Sequence, residues 1–159
     1  MRQLWAAALV ATAAAFELAS FTYSAGEGLI TLTFDEAVQS RTLNASGIVL
    51  MSNATAERAP MQRFRLRGAH PTLGQFLYTT PYNTTETLTL VMRDDDLLEV
   101  QALSDLAVDA KSVWLVAEEG LARAVSDNDR SAAITKPLEV DTYVPDTLQS
   151  EMELYTIDM

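Results

Sequence analysis

Apolar and polar positions alternate in short stretches along most of the chain. Residues 29–35 place Ile30, Leu32 and Phe34 on one side and Thr31, Thr33 and Asp35 on the other. A period of two, with β-branched residues opposite the apolar set, predicts a half-buried strand. Residues 62–67 repeat the pattern, with Gln62, Phe64 and Leu66 against Arg63, Arg65 and Arg67. Residues 85–92 do so again, with Leu88, Leu90 and Met92 opposite Thr87, Thr89 and Val91. Further strands are expected at 17–24, 48–52, 112–117 and 138–144. A weaker candidate spans 75–79 between Gly74 and Pro81. Gly26 and Gly28 punctuate the turn between the first two strands.

One segment changes period. Asp94, Asp95 and Asp96 are followed by Leu97, Val100, Leu103 and Leu106. A step of three gathers these apolar residues on one stripe and predicts a short helix over about 94–107. The Asp triplet then lies where a helix start favours negative charge and side-chain capping, calcium binding being the competing use. Several short strands, turns between them and one short helix together predict an all-β protein, an antiparallel β-sandwich.

The opening strand has an echo near the end of the chain. Phe21-Thr22-Tyr23 and Tyr155-Thr156-Ile157 both set an aromatic residue, then Thr, then a large apolar residue. Residues 16–146 therefore read as one unit, and 147–159 as a linker with an extra strand. Such a strand cannot bury its apolar face or satisfy its backbone alone. It either pairs with a neighbouring subunit by strand addition or opens a further repeat.

The motifs also carry a resemblance. Ile30-Thr31-Leu32-Thr33-Phe34-Asp35-Glu36-Ala37-Val38 resembles the L-T-F-S-E-x-V signature of bacterial-type Ig-like repeats, which occur in tandem in large extracellular surface proteins of bacteria, algae and other microbes. The likeness continues through 42–50, 96–107 and Trp114-Leu115-Val116, and closes on Val140 to Asp146, where Pro145-Asp146 stands as the linker of such arrays. It implies an Ig-like sandwich with a structural or adhesive role and no catalytic residues. One departure is the turn Ser126-Asp127-Asn128-Asp129, which lacks the Gly of the family's Asp-x-x-Gly-Asn turn, so a cation site there is not carried over.

Charge and labels then narrow the setting. Met1-Arg2-Gln3 precedes an apolar run from Leu4 to Ala15 that is too short to span a bilayer. Residues 1–15 read as a secretory signal peptide cut before Phe16, or as an apolar segment used in assembly. Three of the four Asn occupy N-x-S/T sequons, namely Asn44, Asn53 and Asn83, so covalent N-linked glycans are expected on a secreted or cell-surface chain. With 11 basic and 22 acidic residues the net charge is −11, which argues against nucleic acid and anionic membranes as partners.

Arg58, Arg63, Arg65 and Arg67 concentrate positive charge in one stretch, whereas only acidic charges follow Lys136. Like charges sharing a strand face repel. This row either wants an acidic partner, such as the tail of a second copy, or serves as a solvated edge that blocks aggregation.

Chemistry for catalysis is sparse. There is no Cys, one His (His70), and no G-x-S-x-G, Gly-rich phosphate loop or H-E-x-x-H motif. No enzyme activity, metal or other cofactor is expected. Trp114 lies inside an apolar stretch and reads as a core residue. The expectation is therefore a structural subunit of an extracellular glycosylated filament, its copies joined head to tail. Its assembly residues would be Glu151, Met152, Glu153, Leu154, Tyr155, Ile157 and Met159, with Arg63, Arg65 and Arg67. The alternative is an adhesion or carbohydrate-binding module of a tandem-repeat surface protein.

Overall fold

The computed structural model describes residues 16–55, 61–68 and 85–147. The leader at 1–15, Arg58, His70, the strand expected at 75–79, Asn83 and the extra strand at 151–159 lie outside the described residues.

Alternation forms the first sheet as expected. Its strands are β1 (Leu18–Ser24), β2 (Leu29–Val38), β5 (Thr85–Val91) and β8 (Thr142–Val144), in the order β5-β2-β1-β8. Leu32 pairs with Leu88, and Thr31 with Thr89, so one face is apolar and the other Thr-rich. The Thr31 and Thr89 hydroxyls bond across the strands at 2.9 Å. Phe21, Tyr23, Ile30, Leu32, Leu88 and Leu90 are each at most 1% exposed.

The second sheet contains β3 (Ile48–Met51), β4 (Arg63–Arg65), β6 (Trp114–Ala117) and β7 (Ile134–Glu139), in the order β4-β3-β6-β7. Its inward residues Ile48, Leu50 and Leu115 join those of the first sheet in one hydrophobic core. Burial of these side chains, at roughly 1.5–3 kcal/mol each, is the main stabilising term.

Three expectations need correction. The pairing is mixed rather than antiparallel throughout, because β8 runs parallel to β1. The stretch expected as one strand at 138–144 belongs to two sheets. The chain leaves the second sheet at Glu139 and rejoins the first at Thr142, with the Val140 N–H on Val113 O and the Asp141 N–H on Phe21 O. The helix α1 is also shorter than the apolar stripe, covering Asp94–Ala102. Beyond it Leu106 stays buried, but loop bonds hold the backbone there: the Asp105 N–H to Gln62 Oε1 and the Ala107 N–H to Ser112 O.

The Asp triplet occupies the first turn of α1, yet none of its members is the N-cap. That position is Arg93, which makes no side-chain cap bond. Asp96 turns inwards instead. It is fully buried, and its Oδ2 accepts the Arg67 N–H at 2.8 Å, joining the start of α1 to the chain leaving β4. No helix among the described residues is long and apolar enough to cross a membrane.

Candidate functional site

Two of the three sequons are described. Asn44 is exposed on the turn before β3, and its Oδ1 accepts the Ser46 hydroxyl at 2.6 Å. Asn53 follows β3 and is half-buried, and its Oδ1 accepts the Thr55 N–H at 2.9 Å. The Asn53 bond is an Asx-type turn of the kind that Asn favours where the chain leaves a regular element, whereas the Asn44 bond joins two side chains. Ser46 and Thr55, the third residues of the two sequons, are exposed.

The Arg row does not act as one unit. Arg65 pairs with Glu118 at 2.7 Å, and both side chains are more than half exposed. Arg67 leaves the strand face, bonds Glu99 at 2.5 Å, and stands 3.7 Å from Asp96 Oδ1. Its guanidinium also lies 5.9 Å from the Phe64 ring centroid, and the Glu99 bond raises its pKa above the ordinary value. Arg63 alone has no carboxylate partner among the described residues. Arg65 and Arg67 thus have acidic partners within the chain, which offset the repulsion expected along the row.

The end of the molecule where the chain exits is tightly built. The Ala25 N–H bonds Val144 O at 2.8 Å, holding β8 on the β1–β2 turn. Asp146 packs over Gly26, where an added Cβ would come within 3.0 Å of its carboxylate. Tyr143 stacks on Tyr23 with ring centroids 6.2 Å apart, and its hydroxyl donates to Ala107 O at 2.9 Å. Burial, with the Tyr143 hydroxyl as a second cause, pushes the Tyr23 hydroxyl up to about 12. Burial also raises Tyr143, helped by Asp109 and Asp146. Val108 and Val144 are exposed apolar residues at this end.

The outer face of the second sheet was not anticipated. Val49, Met51, Trp114 and Val116 point away from the core. Trp114 is therefore not the core residue the sequence suggested. It is half-buried on the outside, and its indole N–H donates to Lys111 O at 3.0 Å. Met51 is only 3% exposed, yet it lies outside the core cluster. A cleft of about 590 Å³ on this face is lined by Ser52, Asn53, Thr55, Lys111, Trp114 and Glu139. A second cleft of about 450 Å³ contains Val49, Met51, Val116, Arg63 and Arg65, and the two share Ala54. The signal in the sequence was the unbroken apolar runs Ile48-Val49-Leu50-Met51 and Trp114-Leu115-Val116-Ala117. Such runs mark strands apolar on both faces.

The Gly-less turn at 126–129 closes with Asn128 at φ +63, so Asn takes the left-handed position. Among the described residues no group of three or more His, Asp or Glu side chains is placed to hold a metal. Comparison with protein-family models, with curated proteins and with solved structures finds no match to this chain.

Proposed function

We propose that the chain is a bead of an extracellular, glycosylated structural filament, built as an Ig-like β-sandwich, whose residues 147–159 supply the opening strand of the following bead. The observation that carries this reading is the spacing of inward positions in β1 and the residue that follows it. Leu18, Phe21, Tyr23 and Ala25 are buried, and a register shift between Leu18 and Ser20 creates the step of three. The same steps of three, two and two recur at Met152, Tyr155, Ile157 and Met159. A regular strand keeps a step of two, so a tail sequence that repeats the step of three supports a match beyond composition.

Topology supports the same reading. The placement of β1, β2 and β5 in one sheet and β3, β6 and β7 in the other is compatible with an Ig-like sandwich, with the chain passing from one sheet to the other between β7 and β8. The slot between β2 and β8 is filled by Leu18–Ser24, which supports a place for the tail in a bead other than its own. Tyr155, Ile157 and Met159 are its anchors, contributing roughly 1.5–3 kcal/mol each on burial. Glu151, Glu153 and Leu154 fall on the outward side. Secretion rests on the leader at 1–15 and the sequons, with Asn44 and Asn53 on turns that a glycan can occupy.

The test is a two-bead chain in which Met159 runs directly into a second copy of residues 26–146. That second copy lacks its own β1. Both beads are expected to fold, and Ile157→Asp is expected to unfold the second bead alone. A second bead that stays unfolded behind an intact tail, or that ignores Ile157→Asp, contradicts the proposal.

A further inference from the structure

The two sheets present opposite kinds of outer surface. The first is covered by Thr22, Thr31, Thr33, Thr87 and Thr89, polar groups that water solvates. The second carries Val49, Trp114, Val116 and Pro137, all half-buried, around the almost fully covered Met51. An apolar sheet face left open is an association hazard, and proteins cover such faces or use them. Asn53 stands at the rim of this face, in the same cleft as Trp114.

We propose that the N-linked glycan of Asn53 folds back into this cleft, its first sugars lying against the Trp114 indole and covering the apolar outer face of the second sheet. This inference rests on the reading of Asn53 as a glycosylated residue. Two features of the cleft suit a sugar. The indole N–H is already satisfied by Lys111 O, so what remains of Trp114 is an apolar plate for the C–H face of a pyranose. Lys111, Thr55 and Glu139 around it offer donors and acceptors to hydroxyl groups.

The charge also discriminates. Lys111 stands with Glu139 in the cleft, so the lining around Trp114 itself carries little net charge and favours a neutral polyhydroxyl ligand over an anion. Attachment at Asn53 makes the contact intramolecular, so a weak stacking interaction suffices to hold the sugar in place.

The experiment uses the full chain from a glycosylating host, with Trp5→Phe so that Trp114 is the sole indole, and with Asn44→Gln and Asn83→Gln so that Asn53 is the sole sequon. Glycopeptide mass mapping first reads occupancy. An unmodified Asn53 overturns the glycosylation reading and the inference with it. On the mapped glycoform, Trp114 emission and its access to a neutral quencher are measured before and after enzymatic release of the sugar, beside an Asn53→Gln chain that never carried one. The expected result is a red shift and a loss of protection from quencher on release, both matching the Asn53→Gln chain. Emission and quenching unchanged by release, on a protein mapped as glycosylated, overturn the seat at Trp114 while leaving the glycosylation reading intact.

Discussion

Replacing Asp96 by Ala tests the joint between the helix and the second sheet. Asp96 is fully buried, its Oδ2 accepts the Arg67 N–H at 2.8 Å, and it lies in the first turn of α1. Two effects oppose one another. A buried carboxylate is costly to desolvate, and Oδ1 has no hydrogen-bond partner, the Arg67 guanidinium at 3.7 Å being close enough to attract but not to bond. Against this stand a hydrogen bond to a charged acceptor, about 1.5–3 kcal/mol, and the favourable end of the helix dipole, about 0.3–1 kcal/mol. Substitution by Ala also strands the Arg67 N–H. The bond and the dipole win, and Asp96→Ala is expected to lose about 2–4 kcal/mol. For a domain of this size that lowers Tm by roughly 5–15 °C. Asp96→Asn keeps an acceptor for the N–H and is expected to lose less. Urea titration of the three proteins, with m compared to confirm two-state unfolding, gives the numbers. An Asp96→Ala protein within about 0.5 kcal/mol of the parent refutes the reasoning and would mean that desolvation outweighs the bond.

Two further results follow from burial. Tyr23 is 1% exposed and its hydroxyl titrates near 12 when folded, against 10.0 when unfolded. The folded state therefore holds the proton more tightly, and this contribution is complete below pH 10, declines as pH rises between 10 and 12, and amounts to about 3 kcal/mol. Denaturant midpoints across this range should fall, with a shallower fall in Tyr23→Phe. Trp114 and Leu115 are adjacent but face opposite sides of the sheet. Thermal unfolding should show Leu115→Ala losing about 2–5 kcal/mol and Trp114→Ala, outside the core, about 1 kcal/mol or less.

What could be read from the sequence depended on how each strand is covered. In β2 and β5 one face is core and the other Thr, so alternation gave both the element and its orientation. In β3 and β6 the runs are apolar on both faces, and alternation carries no direction, which is why Trp114 read as core. The division of 134–144 between two sheets depends on the Val140 and Asp141 backbone bonds to Val113 and Phe21, residues remote in sequence. The stripe through Leu103 and Leu106 was read as helix because burial was the only signal available. The backbone there is set instead by Gln62, a long-range partner, and by Ser112 of the following turn, whose carbonyl accepts the Ala107 N–H. Asp96 shows the same limit: its charge at a helix start was legible, its bond to Arg67 was not. The sequons and the Arg residues were visible as residue types, but their partners, and the cleft that joins Asn53 to Trp114, exist only in three dimensions.

The central claim is that 152–159 takes the place of β1 in another bead, and strand register tests it most directly. Thr22 pairs with Thr31 in the bead, and Thr156 matches Thr22 in the tail. The chain has no Cys, so an engineered pair is the only route to a disulfide. In the two-bead chain, Thr156→Cys is combined with Thr31→Cys in the second bead, beside a one-bead control carrying Thr22→Cys and Thr31→Cys. The tail pair is expected to oxidise to the same extent as the control, with cross-strand spacing that a disulfide can bridge. A control that closes while the tail pair stays reduced contradicts the account.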